Sequence, residues 1–428
     1  MKKTDSLKNW EGIACVIGID WGDSGKGRLI DNLAARANIV ARFNGGSNTG
    51  HTVKNNYGKF ALHIIPSGIF NQKAICLIGR GVALDLESLV DDEMVQLKSA
   101  GVSWKNLRID QQATIVMPWH KIRDGIREEL RGGAKIGTTK RGVGPTYADR
   151  IERQGLRAKD LYEADFKDRL KEELDFQNKI FSLKLSFKEI LETFTRYSKV
   201  IKPYVTQTIP LIKEAKSARK NILFEGAQAY FLDIDFGTYP FVTSSNTGVL
   251  GIWRSFELYP TEINHVIGIT KAYMTRVGSG PMPSKIEGEA REIIIEKGGE
   301  IGTTSGRIRD PGWLDLVLLK AAVEANKVNH MAMTKIDVLT GFKTIKVVTG
   351  YKIGSKEAGY ISGDASYLAK CQPVYQTLPG WQQDISSVRN FKDLPKNAQN
   401  YIKTVENFVS IKVDFIGVGP ARGEEIYV

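Results

Sequence analysis

Along the chain, short runs of apolar residues sit between turns that carry glycine. Ile13–Ile19, Ile39–Phe43, Leu62–Ile65 and Ile75–Ile78 are of this kind. Runs that are apolar throughout, rather than alternating, predict strands buried on both faces, as in a parallel sheet covered by helices. The segment Ile222-Leu223-Phe224-Glu225-Gly226-Ala227-Gln228 reads as strand then turn, and Val266–Thr270, His330–Thr334, Thr344–Tyr351 and Ile411–Gly417 extend the series. Elsewhere the period lengthens. Helical patterns run over Arg28–Ala37, around Leu86–Ala100 and over Trp119–Arg131. From about Lys159 to Lys220 the chain is highly charged, nearly free of glycine and helically periodic. This alternation predicts an α/β fold: a mainly parallel central sheet with a P-loop-like nucleotide site, flanking helices and an inserted helical subdomain around 159–220. Residues 1–428 are expected to form a single domain, with the site in the loops at the strand ends.

The first of those loops carries the most chemistry. In Val16-Ile17-Gly18-Ile19-Asp20-Trp21-Gly22-Asp23-Ser24-Gly25-Lys26-Gly27, a buried strand ends in a glycine turn with an acid and a lysine, and a helix follows. Backbone N–H groups and a helix N-terminus arranged this way hold phosphate. The loop departs from the standard form, because Gly27 stands where a hydroxyl would meet Mg²⁺ and Gly18 lies too far from Gly25. A metal would need another oxygen, and Asp23 offers one.

Asn44-Gly45-Gly46-Ser47-Asn48-Thr49-Gly50-His51-Thr52 can wrap closely around a polar ligand, and His51 is the acid/base candidate among five histidines. His63 and His330 sit in apolar runs and read as core or partly buried, while His120 and His265 carry no motif. A second glycine-rich loop spans Ile136–Pro145. The hydroxyl clusters Thr138-Thr139, Thr243-Ser244-Ser245-Asn246 and Thr303-Thr304-Ser305 can grip phosphate or carboxylate without adding charge. Arg307 and Arg309 add forked donors, and Arg153 and Arg157 repeat the theme, though a plain surface role suits those two equally well. In Thr334-Lys335-Ile336-Asp337 a carboxylate follows an apolar run. It can accept from the N1–H and 2-amino groups of guanine, a donor pair that adenine lacks.

Composition narrows the setting. At 428 residues, 42% hydrophobic and 25% charged, the chain has the make-up of an ordinary globular protein. No apolar run is long enough to cross a bilayer, and the start lacks the apolar core of a secretory leader. Cys15, Cys76 and Cys371 lie far apart in mostly apolar surroundings, as reduced core residues of a cytoplasmic protein do. The net charge of +12 raises nucleic acid as a partner, but 60 Lys and Arg are spread among 48 acids without a long basic tract. Phosphorylated or carboxylate substrates explain that charge better.

Seven motifs together resemble the adenylosuccinate synthetase family: Trp21-Gly22-Asp23-x-Gly25-Lys26-Gly27, Asn48-x-Gly50-His51-Thr52, Ile136-Gly137-Thr138-Thr139, Phe224–Gln228, Gly237–Asn246, Gly312-Trp313-Leu314-Asp315 and Thr334-Lys335-x-Asp337. They come in the family's order and span about Ile13 to Val428. The resemblance implies a homodimer that couples IMP and L-aspartate to GTP hydrolysis with Mg²⁺. Asp23 and His51 would be catalytic, and Asp23 and the Gly50 carbonyl would hold the metal. GTP would lie against Gly22, Ser24, Gly25, Lys26, Gly27, Gly50, His51, Thr52, Arg309, Lys335, Ile336, Asp337, Gly417, Val418 and Gly419. IMP would meet Asp23, Ser24, Gly25, Lys26, Asn48, Thr49, Gly50, His51, Thr139, Gln228, Thr243 and Arg307, with Arg153 reaching over from the partner subunit. Thr303, Thr304, Ser305, Gly306, Arg307, Ile308 and Arg309 would form the aspartate loop.

The chain also departs from the family pattern. Ser24 stands where the family has Glu, Lys140 where it has Gly, Gly417 where it has Ser, and Thr247–Arg254 differs from the small-residue stretch expected there. Ser24 motivates an alternative, a synthetase acting on a 2-amino purine such as dGMP, with ATP as a possible donor. A nucleotide-binding regulator without catalysis is a third reading, which the retained Asp23 and His51 oppose.

Overall fold

The computed structural model describes residues 7–302, 306–359 and 363–428. Its centre is a ten-stranded sheet. In chain order the strands are β1 (Ile13–Gly18), β2 (Ile39–Arg42), β3 (Ile75–Ile78), β4 (Leu107–Asp110), β5 (Val205–Thr206), β6 (Ile222–Ala229), β7 (His265–Lys271), β8 (His330–Thr334), β9 (Val413–Gly417) and β10 (Glu425–Tyr427). In space they run β10-β9-β8-β7-β1-β6-β2-β3-β4-β5. Every pairing is parallel except β9 with β10. The expected α/β architecture with a mainly parallel sheet is what the chain adopts.

The sheet is buried on both sides. Along β1, Ile13, Cys15 and Ile17 belong to one apolar cluster, and Ala14 and Val16 to the cluster on the opposite face. That alternation explains why the strand reads as one continuous apolar run. The three cysteines are buried and free. Helices Phe166–Ile180 and Phe187–Ile201 send Leu170, Leu174, Ile190, Phe194 and Ile201 into the second cluster. None of the described helices is long and apolar enough to cross a membrane.

Three local expectations need correction. Leu62–Ile65 is not a strand of the main sheet. Leu62 ends a small hairpin, His51–Asn55 with Gly58–Leu62, and Ile64 and Ile65 are buried in the bend that follows. Burial made the run apolar without making it extended. Thr344–Ile353 is a strand, but it belongs to a separate small sheet, paired antiparallel with Gln372–Pro379. The second glycine loop stops early, because helix Val143–Glu152 begins inside it. Pro145 is tolerated in that first turn, where backbone N–H groups have no intrahelical partner.

From β1 the chain moves to β2 on one side, and from β6 it crosses back over β1 to β7 on the other. β1 therefore lies at the topological switch, where the carboxyl ends of parallel strands open a crevice.

Candidate active site

The turn after β1 leads into helix α1 (Lys26–Leu33), whose N-cap, Gly25, has a left-handed backbone with φ 85°. Asp23 is also left-handed, at φ 57°. Glycine at 27 is a packing requirement. A Cβ there would lie 2.7 Å from the Thr52 carbonyl and 3.1 Å from the His51 Cβ. The His51 hairpin is thereby seated on the first turn of α1.

Asp20, which the sequence did not single out, braces this turn from inside. It is buried and accepts from the Gly22 amide at 2.8 Å, and the Ser24 hydroxyl lies 2.7 Å from each of its carboxylate oxygens. Ser24 is fully buried, so its hydroxyl faces Asp20 and not the crevice. The carboxyl absent from position 24 is present next to it, on Asp20, whose pKa burial raises against the Ser24 hydrogen bond and Lys26. Lys26 is buried too, and its ammonium donates to the Gln228 carbonyl. Burial lowers its pKa, with Asp20 and Asp23 opposing. Asp23 remains about one-third exposed, with Oδ2 2.6 Å from Arg309 Nε.

His51 is buried, and its Nδ1 is paired with Glu225 on β6. Glu225 also accepts from the Ser67 amide at 2.7 Å and the Ser67 hydroxyl at 2.9 Å. Burial works to raise the Glu225 pKa, but the His51 hydrogen bond and the nearby charges hold it below the usual value. Burial pulls the His51 pKa down against the pull of Glu225. The remaining ring nitrogen, Nε2, is buried without a hydrogen-bond partner. Glu225 was legible as an anomaly, since an acid in the run Ile222-Leu223-Phe224 must be paired to be buried. Arg42, fully buried at the end of β2, is a second such anomaly.

Other expected residues converge on the same crevice. The Asn48 amide donates to the Thr243 hydroxyl at 3.3 Å, while Asn48 Oδ1, Thr49 Oγ1 and Gln228 Oε1 are buried without partners. Arg307 donates to the Gly137 carbonyl at 3.1 Å, which brings it to the loop that carries Thr139. Lys335, Ile336 and Asp337 follow β8, while Gly417 ends its neighbour β9 and Val418 and Gly419 follow. The Thr334 hydroxyl donates to the Ser24 carbonyl at 2.8 Å, tying this end to the phosphate loop. Asp337 Oδ1 is buried without a partner, and burial raises its pKa. Arg153 lies elsewhere, exposed at the C-cap of Val143–Glu152 in a cleft with Arg150, Arg157 and Arg169. Thr303, Thr304 and Ser305 fall outside the described residues.

An adenylosuccinate synthetase family model matches residues 15–426. The chain belongs to the adenylosuccinate synthetase family. As a member it is a ligase that forms a C–N bond. It is 45% identical to the adenylosuccinate synthetase of Halothermothrix orenii, over 96% of this chain and 97% of that one. Identity to the enzyme of Caldanaerobacter subterraneus is 43%, over 97% and 98%. The fully ligated adenylosuccinate synthetase of Plasmodium falciparum superimposes with a TM-score of 0.93 at 34% identity, covering 97% of this chain and all of that one. A cyanophage succinoaminodeoxyadenylate synthetase bound to dGMP and dATP shares the fold, with a TM-score of 0.62 at 17% identity over 98% and 96% of the two chains. That last likeness is one of fold alone.

Proposed function

We propose that this chain joins IMP and L-aspartate at the expense of GTP, in two displacements within the one crevice. Asp23 takes the N1 proton of IMP, and the electron pair moves to O6. O6 attacks the GTP γ-phosphorus and GDP leaves. The aspartate amine then attacks C6, the C6–O bond breaks, and phosphate departs with the proton that the amine nitrogen releases, leaving adenylosuccinate. The observation that carries this reading is the unpartnered Nε2 of His51, held by Glu225 and seated against the phosphate loop. Glu225 stabilises a positive charge on the ring, so His51 can donate to the phosphoryl oxygens as charge builds there.

Lys26 and the loop amides hold the GTP phosphates, and Asn48, Gln228 and Thr243 hold IMP. Arg307 and Arg309 face the aspartate carboxylates. The unpaired carboxylate oxygen of Asp337 suits the N1–H and 2-amino donors of guanine. Asp23 with the Gly50 carbonyl is a donor set that fits Mg²⁺, a hard cation that uses few protein oxygens and completes its shell with water and phosphate. Bound there, the ion would neutralise phosphate charge. The separation of Arg153 from the other IMP residues fits its delivery to the site of a second subunit in a cytoplasmic homodimer.

The test is production of adenylosuccinate from IMP, aspartate and GTP, read by mass. Asp23→Asn is expected to lower kcat by about 10³-fold or more, the scale of losing a positioned base. Turnover near wild type in that variant would remove Asp23 from the role.

A further inference from the structure

Glu300 lies at the stem of the aspartate loop, and no motif marks it. Its side chain is fully buried and meets three cations. Oε1 is 2.8 Å from Lys335 Nζ, Oε2 is 3.2 Å from an Arg309 guanidinium nitrogen, and Lys271 Nζ is 3.3 Å from both oxygens. The Tyr273 hydroxyl donates to it as well. Lys271 is itself fully buried at the end of β7.

These partners come from different parts of the crevice. Lys335 is a left-handed residue two positions before Asp337, in the turn assigned to guanine. Arg309 closes the loop expected to hold aspartate. Its amide donates to the Glu300 carbonyl at 2.9 Å, Gly302 N donates to the Arg307 carbonyl at 2.7 Å, and Ile301 bridges Ile308. Arg309 also reaches Asp23. One carboxylate thus stands in a continuous chain of contacts, Lys335–Glu300–Arg309–Asp23, from the base turn to the proposed base catalyst.

A buried ion cluster of this kind is a poor device for stability, since desolvation consumes most of the attraction. Its best-attested use is to fix one geometry among several. We propose that Glu300 is a positioning residue that couples the guanine turn to the aspartate loop, so that filling either subsite favours the arrangement the other needs. This rests on the subsite assignments above. Arg309 is shared between Glu300 and Asp23, so Glu300 also keeps the Asp23 carboxylate from being fully engaged by the arginine. Lys271 and Lys335 hold the Glu300 carboxyl down at about 2 against the effect of burial, so it stays charged throughout the working range.

The test is Glu300→Gln, which keeps the shape and an acceptor for Tyr273 but removes the charge. Expected are rises of tenfold or more in KM for both aspartate and GTP, with KM for IMP within threefold. In the wild type, aspartate KM should fall as GTP approaches saturation, and in the variant that dependence should vanish. A lower melting temperature with unchanged KM values, or a shift confined to one substrate, would overturn the proposal. Should the single variant not fold, Lys271→Met with Glu300→Gln removes one charge of each sign and takes the same measurements. GDP binding by calorimetry separates the two readings. If the wild type forms no adenylosuccinate, the functional assignment fails. The coupling then stands only if bound aspartate tightens GDP binding in the wild type and no longer does so in Glu300→Gln, and falls otherwise.

Discussion

Two buried histidines in this molecule are each paired with a buried carboxylate, yet only one belongs to the crevice. His120 donates from Nε2 to Asp149 at 2.8 Å, and its Nδ1 accepts the Met117 amide at 2.9 Å. Arg123 adds contacts to Asp149 at 2.6 and 2.8 Å, so both nitrogens of the His120 ring and the carboxylate facing it are partnered. His51 has the same carboxylate partner chemistry through Glu225, but its second nitrogen has no partner. Burying an unmet polar atom costs roughly 1–3 kcal/mol. Beside the phosphate loop, where a ligand can supply the missing bond, such an atom points to function. The His–carboxylate pair alone therefore says little about function. The unmet valence beside it says more.

The comparison can be broken by substitution. His51→Ala should lower kcat per folded molecule by about 10³-fold, the scale expected for a lost general acid, and lower the melting temperature as well, since buried Glu225 loses a partner. Glu225→Gln should cost about 10²-fold, because the ring loses the charge that orients it and favours its protonation. His120→Ala should act on stability alone. It should lower stability by about 2–4 kcal/mol, since Asp149, the Met117 amide and the Thr146 hydroxyl lose a buried partner, while kcat per folded molecule stays within threefold. Thermal melts beside initial rates separate the two behaviours, and equal loss of kcat at both histidines would end the distinction.

A pH experiment sharpens it. Burial holds the His120 pKa below 6.5, and Met117 donation requires the neutral ring. Below pH 6.5 the unfolded chain binds a proton that the folded chain refuses, so stability falls as pH drops. The Asp149 carboxyl is depressed on balance, by His120 and Arg123 against burial, and adds loss in the same direction below 3.8. His120→Asn removes the first contribution. Its stability deficit relative to wild type should be largest at pH 7 and shrink by up to about 2 kcal/mol by pH 5. A deficit independent of pH would mean that folding does not shift His120, and one that grows toward pH 5 would mean that the ring is charged in the fold.

The smallest effect concerns the phosphate loop. Ser24→Ala should cost about 1–3 kcal/mol, because Asp20 loses a hydrogen bond in a buried position, and should leave the preference for IMP over dGMP unchanged. A shift in that preference, measured by competition, would return Ser24 to the crevice.

Strands β1, β2 and β3 were legible because each is an apolar run followed by a glycine turn, whereas β4, β5 and β10 are short, carry polar residues and were not read as strands. Leu62–Ile65 misled because core packing alone also demands apolar residues, whatever the backbone does. Asp23, His51, Lys335 and Asp337 were legible as short motifs. Lys271 and Glu300 were not, since they meet each other and Lys335 only in the fold, and neither Asp20, which braces its own turn through Gly22 and Ser24, nor Arg42 belongs to a motif. Lys271 and Arg42 nonetheless left a trace, as lone charges closing apolar runs.

The central claim is that His51, and not merely a buried histidine–carboxylate pair, serves phosphoryl transfer to IMP. Oxygen scrambling from the β,γ-bridge of labelled GTP, followed with IMP present and aspartate omitted, reads that step alone. The account predicts IMP-dependent scrambling in the wild type and in His120→Ala per folded molecule, and its loss in His51→Ala. Scrambling that persists in His51→Ala, or disappears equally in both variants, would contradict it.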